Sequence, residues 1–197
     1  MTTAWKTLVE QARSGDGSSI DLLLEENLPA LRAYVRLRMS RGLRAKETSS
    51  DIVQSACREV LADLGRFEVR DEGSFRHWLF ETALRKILDR QRYWHAAKRD
   101  TGREVTLPDS ANDGKLLECY SSISTPSGQA QLREEIERLE QAFDRMPEHY
   151  RQVVTLARIV RLSHAQIAEE MGRTEDSVRN LLPRALARLG TLLAVRS

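Results

Sequence analysis

The chain has 197 residues, of which 41% are hydrophobic and 30% charged, and its formal net charge is only +2. That length suits one domain or two small ones, and the near-balanced charge means that any nucleic-acid contact must come from local clustering of bases. Met1-Thr-Thr-Ala-Trp-Lys6 is not followed by a long apolar core, and no apolar run approaches the ~18 residues of a membrane span, so neither a signal peptide nor a membrane segment is expected. Cys57 and Cys119 lie far apart without a CxxC or Cys/His grouping. A structural zinc site needs about four such ligands close together and is not expected. Reduced thiols in a cytosol is the plain reading, with a redox-sensing pair as the alternative; a cytoplasmic protein is expected.

The pattern along the chain is helical. Trp5 to Arg13 predicts a short helix stopped by Ser14-Gly15-Asp16-Gly17, and Ser18 or Ser19 is placed to cap a second helix through Leu22, Leu23 and Leu24. Pro29 interrupts or kinks that helix, which resumes through Leu31, Tyr34, Val35 and Met39 and stops at Gly42. Ser49 or Ser50 caps another, in which Ile52, Val53, Ala56, Val60, Leu61 and Leu64 recur at helical spacing. Gly65 and Gly73 bracket a loop, and Ser74 starts a long helix to about Ala97.

From Asp100 to Gly128 periodicity fades, and glycine, proline, a Ser/Thr run and scattered acids take over. A stretch of that length without structure is unusual inside a compact domain and reads as a linker. Helix returns from Gln129, with an apolar stripe of Leu132, Ile136, Leu139 and Phe143. Pro147 suits the first position of the following helix, which carries Val153, Val154, Leu156, Ala157 and Val160. With no segment of strand alternation, the expectation is an all-α chain of two small helical domains, 1–99 and 129–197, joined by a flexible linker at 100–128.

The second domain ends in the most specific local pattern. Ser163 and Gln166 have capping-box spacing, Ile167, Ala168 and Met171 give the short helix an apolar side, and Gly172 supplies a tight turn. Thr174 then caps a helix with Glu175 and Asp176 in its first turn, where carboxylates complement the helix dipole. Val178, Leu182 and Leu189 point inward, leaving Ser177, Arg179, Asn180 and Arg184 outward. Two short helices across such a turn form a helix-turn-helix, whose second helix enters the major groove of DNA. Arginine there pairs with guanine and asparagine with adenine. The other readings are a helical hairpin with solvated charges and a protein-binding three-helix module.

The first domain carries the hidden positive charge. Arg76, Arg85, Lys86, Arg90, Arg92, Lys98 and Arg99 fall in its last helix and tail, against Glu81 and Asp89. Phe75, Trp78, Leu79, Ala83 and Ile87 follow helical spacing and read as core. Tyr93 and Trp94 sit among the bases instead; aromatic rings interleaved with cations suit unpaired bases and their phosphates, and a plain solvated helix end suits the pair equally well. Catalysis is not expected, because His77, His95, His149 and His164 share no metal-ligand spacing and no GxxxxGK[ST] loop is present. No metal or cofactor is expected.

Asp51-Ile-Val-Gln54, Phe75-Arg-His-Trp-Leu79 and the helix-turn-helix after Met146-Pro147, in that order and with a tether between, resemble a bacterial RNA polymerase sigma factor of the extracytoplasmic-function (ECF) group in the sigma-70 family. The resemblance spans about residues 18 to 193. It implies a first domain (region 2) that binds core RNA polymerase and melts the promoter −10 element, and a second (region 4) that reads the −35 element of promoter DNA. It implies that Asp51, Val53 and Gln54 dock on the polymerase clamp, and that the loop from Arg66 to Ser74 captures a flipped −10 base. Arg85, Arg90 and Arg92, with Tyr93 and Trp94 beside them, then hold DNA next to the melted strand, while Ser177, Arg179, Asn180 and Arg184 read the −35 element. The linker resembles the segment threaded through the RNA-exit path. An anti-sigma factor or a regulatory kinase is the further partner that such a chain implies.

Two positions depart from the family pattern. Leu181 stands where a base is common, and Pro183 where a polar residue is. A proline inside a helix removes a hydrogen bond and typically costs ~3 kcal/mol or kinks it, so the reading helix is expected either to bend after Leu182 or to start later. A stand-alone helix-turn-helix regulator is the competing function, separable because it binds its site without polymerase. A sigma-like mimic that never touches DNA is a third.

Overall fold

The computed structural model describes residues 2–67, 72–97, 120 and 132–194, and every described element is helical. Apart from Tyr120, the 100–128 linker expected to be flexible lies outside the described residues. Helices α1 (Thr2–Arg13), α2 (Gly17–Arg38), α3 (Arg41–Arg44), α4 (Ser49–Asp63) and α5 (Glu72–Ala97) form the first domain, with a short 3-10 turn at Leu64–Arg66. The second domain holds α6 (Leu132–Asp144), α7 (Glu148–Val154), a π-helical continuation at Thr155–Val160, α8 (His164–Glu170) and α9 (Glu175–Ala194).

The caps shift by a residue or two from the sequence expectation. Asp16, not Ser18 or Ser19, caps α2: its carboxylate accepts from the Ser19 backbone N–H at 2.9 Å and from the Ser19 hydroxyl. Those two hydrogen bonds, the hydroxyl's first, hold the Asp16 carboxyl below its ordinary range. Thr48 caps α4 through the Asp51 N–H, and Pro147, expected at the first helical position of α7, is instead its cap, with the helix starting at Glu148. Pro29 does not end α2, which runs unbroken through it. The π-helical stretch was not foreseen; it closes on Arg161 in the left-handed region (φ 62), whose N–H donates to the Leu156 carbonyl.

The spine of the molecule is the last part of α2. Leu31, Ala33, Tyr34, Val35 and Leu37 are all 2% exposed or less. Residues so close in sequence cannot share one face of a helix, so the helix must be covered on more than one side. Helices α4 and α5 cover it from the first domain, and the π-helical segment and α6 cover it from the second. Tyr120, from between the domains, is buried in the same core.

Arginines on the partly exposed edge of this spine hold the second domain by its acids. Arg36 Nε donates to Glu140 Oε1 at 2.6 Å with both side chains nearly buried, and Arg38 meets Glu148 Oε1 at 2.5 Å. Arg44 pairs with Asp144 while its other nitrogen donates to the Arg36 and Met39 carbonyls. From α5, Arg76 donates to the Ile159 carbonyl at 2.7 Å and lies over the Phe80 ring. Burial pushes the Tyr34 hydroxyl up to about 12, with Arg38 opposing and Glu170 and Glu148 reinforcing the shift, so it stays neutral at the seam. Burial also opposes the charge on Glu148, but Arg38 and Arg151 outweigh it and hold the carboxyl low.

Leu37, fully buried in the spine, gives a direct stability test. Leu37→Ala is expected to cost about 2–5 kcal/mol through lost burial and an unfilled cavity, read as a lowered urea midpoint with an unchanged slope.

Candidate nucleic-acid interface

The helix-turn-helix is built by local hydrogen bonds that its sequence dictates. At α8 the capping box is complete: the Ser163 N–H donates to Gln166 Oε1 at 2.9 Å and the Gln166 N–H to Ser163 Oγ at 3.3 Å. Ile167 and Ala168 bury their side chains. Gly172 turns the chain with φ +60, a conformation that a side chain would strain, and the Arg173 N–H returns to the Ala168 carbonyl at 2.8 Å. Thr174 Oγ1 accepts from the Ser177 N–H and so starts α9. Val178, Ala185, Leu189 and Leu192 form its buried stripe at helical spacing.

The opposite face carries the candidate reading residues. Arg179, Asn180 and Arg184 are exposed, whereas Ser177 is half-buried beside the cap and less outward than expected. Arg179 is held along the helix by Glu175 at 3.1 Å and Asp176 at 3.2 Å, and Asn180 Nδ2 donates to the Asp176 carbonyl. Such exposed pairs contribute little, so the guanidinium can exchange them for a base edge. The later start expected as one effect of Pro183 does not occur. Helix α9 starts at Glu175 as first placed and continues through Pro183 to Ala194. Pro183 is exposed, which lets water take the carbonyl that loses its partner. Leu181 and Leu182 are half-buried against the core.

Among the described bases of α5, Arg85, Lys86, Arg90 and Arg92 each lie near an acid. Arg85 and Lys86 both grip Glu59, and the Lys86 hydrogen bond is the main reason that the Glu59 carboxyl is held low, with burial opposing and Arg85 adding. Arg90 approaches Glu47 at 3.5 Å and Arg92 pairs with Asp89 at 3.3 Å. The two aromatics that the sequence left undecided part company. Tyr93 is 59% exposed, whereas Trp94 is half-buried, its indole N–H donating to Glu47 Oε1 at 2.9 Å. Their rings meet edge-on at 5.3 Å.

A cleft of about 620 Å³ opens between the end of α4 and α5, lined by Asp63, Arg66, Phe67, Ser74, Trp78, Glu81 and Arg85. Phe67 and Trp78 stack nearly parallel there, 4.9 Å apart at 9°. Helical spacing marked Trp78 as core, yet it is only half-buried and forms a wall of this cleft; Phe67 was not singled out at all. The signal for both was present in Arg66-Phe67 and Trp78 flanking one glycine-bounded loop. Residues 68–71 of that loop lie outside the described residues.

The Asp51–Gln54 motif divides as well. Asp51 and Gln54 are exposed, the former also accepting from the Thr48 hydroxyl at 2.8 Å. Val53 is 3% exposed and packs into the core; positions 51 and 54 share one face of the helix, and 53 points away from it.

Fold and site together define a two-domain DNA-reading protein, with a helix-turn-helix on one domain and an aromatic-basic cleft on the other. Sigma-70 region 2 matches residues 23–98, and Sigma-70, region 4 matches residues 136–189. The chain is 28% identical over 183 residues to the ECF RNA polymerase sigma factor SigD of Mycobacterium tuberculosis, covering 92% of this chain and 80% of that one. It is likewise 28% identical over 193 residues to the ECF RNA polymerase sigma factor ShbA of Streptomyces griseus, covering 97% and 96%. The solved structure of CnrH in complex with the cytosolic domain of CnrY has the same fold, with a TM-score of 0.62 at 23% identity over 97% of each chain. The chain belongs to the sigma-70 family, in its ECF group, and is a sigma factor that directs promoter recognition by RNA polymerase, not an enzyme. Among the described residues, no helix is long and apolar enough to cross a membrane.

The capping box is testable by itself. Ser163→Ala removes the acceptor for the Gln166 N–H and is expected to destabilise the chain by about 1 kcal/mol, measured by urea unfolding, while Ser163→Asp retains most of the stability.

Proposed function

We propose that the two domains grip a promoter at two points, and that core RNA polymerase brings the points into register. In this reading the domains are residues 1–99 and 129–197 with a linker at 100–128, and the protein is cytoplasmic, where polymerase and promoter are. The exposed Arg179 and Asn180, at the start of a properly capped second helix, contact base edges of the −35 element, with Arg184 farther along the same face. The cleft between Phe67, Trp78 and Arg85 takes a base extracted from the −10 element. Rings supply stacking worth about 1–3 kcal/mol per base, and Arg66 and Arg85 supply charge for the adjoining phosphates. Base extraction costs a few kcal/mol, so a cleft able to return that amount makes melting feasible. Arg90, Arg92 and Tyr93 extend the same surface along α5. Trp94 supports it from behind through Glu47.

The observation that carries this reading is the pairing of that aromatic-basic cleft on one domain with an exposed helix-turn-helix on the other. A regulator acting alone has use for the second feature and none for the first. Asp51 and Gln54 form the exposed part of the proposed clamp contact, with Val53 holding the helix beneath them. An anti-sigma protein is a further proposed partner; CnrH, with the same fold, was solved with the cytosolic domain of CnrY.

Transcription in vitro with core polymerase on a genomic promoter library tests the whole reading. Start sites that depend on the added chain are expected, and the chain alone is expected to footprint no duplex. Arg179→Ala is expected to lower initiation about tenfold, the cost of one base contact. Trp78→Ala is expected to leave polymerase binding intact and reduce permanganate-reactive open complexes. A protected duplex without polymerase, together with no new start site, would instead identify a stand-alone regulator.

A further inference from the structure

The docked domains bring a cluster of metal-ligating side chains together at their seam. His77 and Glu81 lie four residues apart on α5, one above the other on the same face of the helix. Glu170, the last residue of α8, reaches the same point from the second domain. One donor atom from each, an imidazole nitrogen and two carboxylate oxygens, lies within 4.8 Å of the others. His77 Nε2 and Glu170 Oε2 are 3.6 Å apart, on side chains 35% and 21% exposed. The cluster is therefore sheltered and still open to an ion from solvent.

A cation placed between the two carboxylates meets both of their negative charges. Among the described residues, neither Glu81 nor Glu170 forms a salt bridge with a lysine or an arginine. A divalent ion neutralises both and uses the imidazole as a neutral ligand. All-oxygen sets suit magnesium or calcium, whereas an imidazole nitrogen directs the set toward zinc and its first-row neighbours. Three protein ligands with a fourth position left to water is a coordination that zinc accepts. Zinc bonds of about 2.0–2.2 Å place tetrahedral ligands roughly 3.3–3.5 Å apart. The His77–Glu170 pair already sits near that spacing, and Glu81 is an exposed side chain with freedom to rotate inward.

We propose that His77, Glu81 and Glu170 form a binding site for a divalent transition metal, best matched to zinc, that clasps the two domains together. Two ligands come from the first domain and one from the second. Separating the domains leaves only the His77–Glu81 pair and weakens the site, so by linkage an occupied site opposes separation by the same free energy. A comparison of the histidines with one another along the sequence could not reveal it, because the set mixes residue types and is assembled only by the docking of one domain on the other.

The test uses the full chain titrated with zinc, and with cobalt(II) as the spectroscopic substitute. One metal per chain is expected, with a cobalt spectrum of nitrogen and oxygen ligation that lacks a thiolate charge-transfer band. His77→Gln and Glu170→Gln are each expected to weaken binding at least ~10-fold, since even the loss of an outer partner of a metal ligand costs that much. Glu169→Gln, at the exposed neighbour of Glu170, should bind as the unaltered chain does, and circular dichroism identifies any variant that fails to fold. Absence of saturable binding, a thiolate band, or an affinity untouched by Glu170→Gln overturns the proposal. None of these readouts involves transcription, so the sigma-factor reading stands or falls separately.

Discussion

Everything else in the structure depends on the burial of the last turns of α2 from both sides. Leu31, Ala33, Tyr34, Val35 and Leu37 are withdrawn from water together, and no single layer of helices can cover such a run. The first domain supplies one wall and the second domain the other. The arginines at the edge of the same helix then find acids on α6 and α7: Arg36 with Glu140 and Arg38 with Glu148. Removing one member of the nearly buried Arg36–Glu140 pair strands the other charge away from water. Apolar coverage supplies the affinity of one domain for the other, and the ion pairs fix their register.

The same economy of charge explains how a chain of net charge +2 presents DNA-binding surfaces. Its candidate contact arginines are kept beside carboxylates of their own helix or a neighbouring one: Arg179 beside Glu175 and Asp176, Arg85 beside Glu59, Arg90 beside Glu47. These acids hold extended side chains in place and lower the field that the free protein presents to non-specific DNA. Phosphates and base edges can displace them at small cost, because exposed pairs in high dielectric are worth little. In the proposed two-point grip, such bases stay oriented and partly neutralised until core polymerase offers both contact points together.

Much of this was legible in the sequence, and for identifiable reasons. The helix-turn-helix is local, and Ser163, Gln166, Gly172 and Thr174 specify its caps and turn within a dozen residues. The all-helical class and the apolar stripes follow from spacing alone. What failed to show was whatever depends on tertiary placement. The sequence suggests an interruption or kink at Pro29 and a bend or late start at Pro183, yet both α2 and α9 run on through their prolines. Val53 belongs to the apolar stripe of α4 by its spacing, and its burial agrees with that rather than with the clamp contact that the resemblance implies. Trp78 read as core, because spacing cannot tell a buried ring from one that lines a cleft. The seam between the domains, with its Arg36–Glu140 and Arg76–Ile159 contacts, joins residues far apart in the chain and leaves no trace in local pattern.

The docking of the second domain on the α2 spine is the central structural claim, and a distance across it is the most direct check. In a Cys57→Ala, Cys119→Ser background, spin labels can be placed at Ala62 on α4 and Ala187 on α9, both exposed. Pulsed electron resonance on the free chain should then return a single narrow distance distribution that matches the docked arrangement. A broad distribution reaching the lengths allowed by an extended tether would contradict it, showing two domains that move independently in solution.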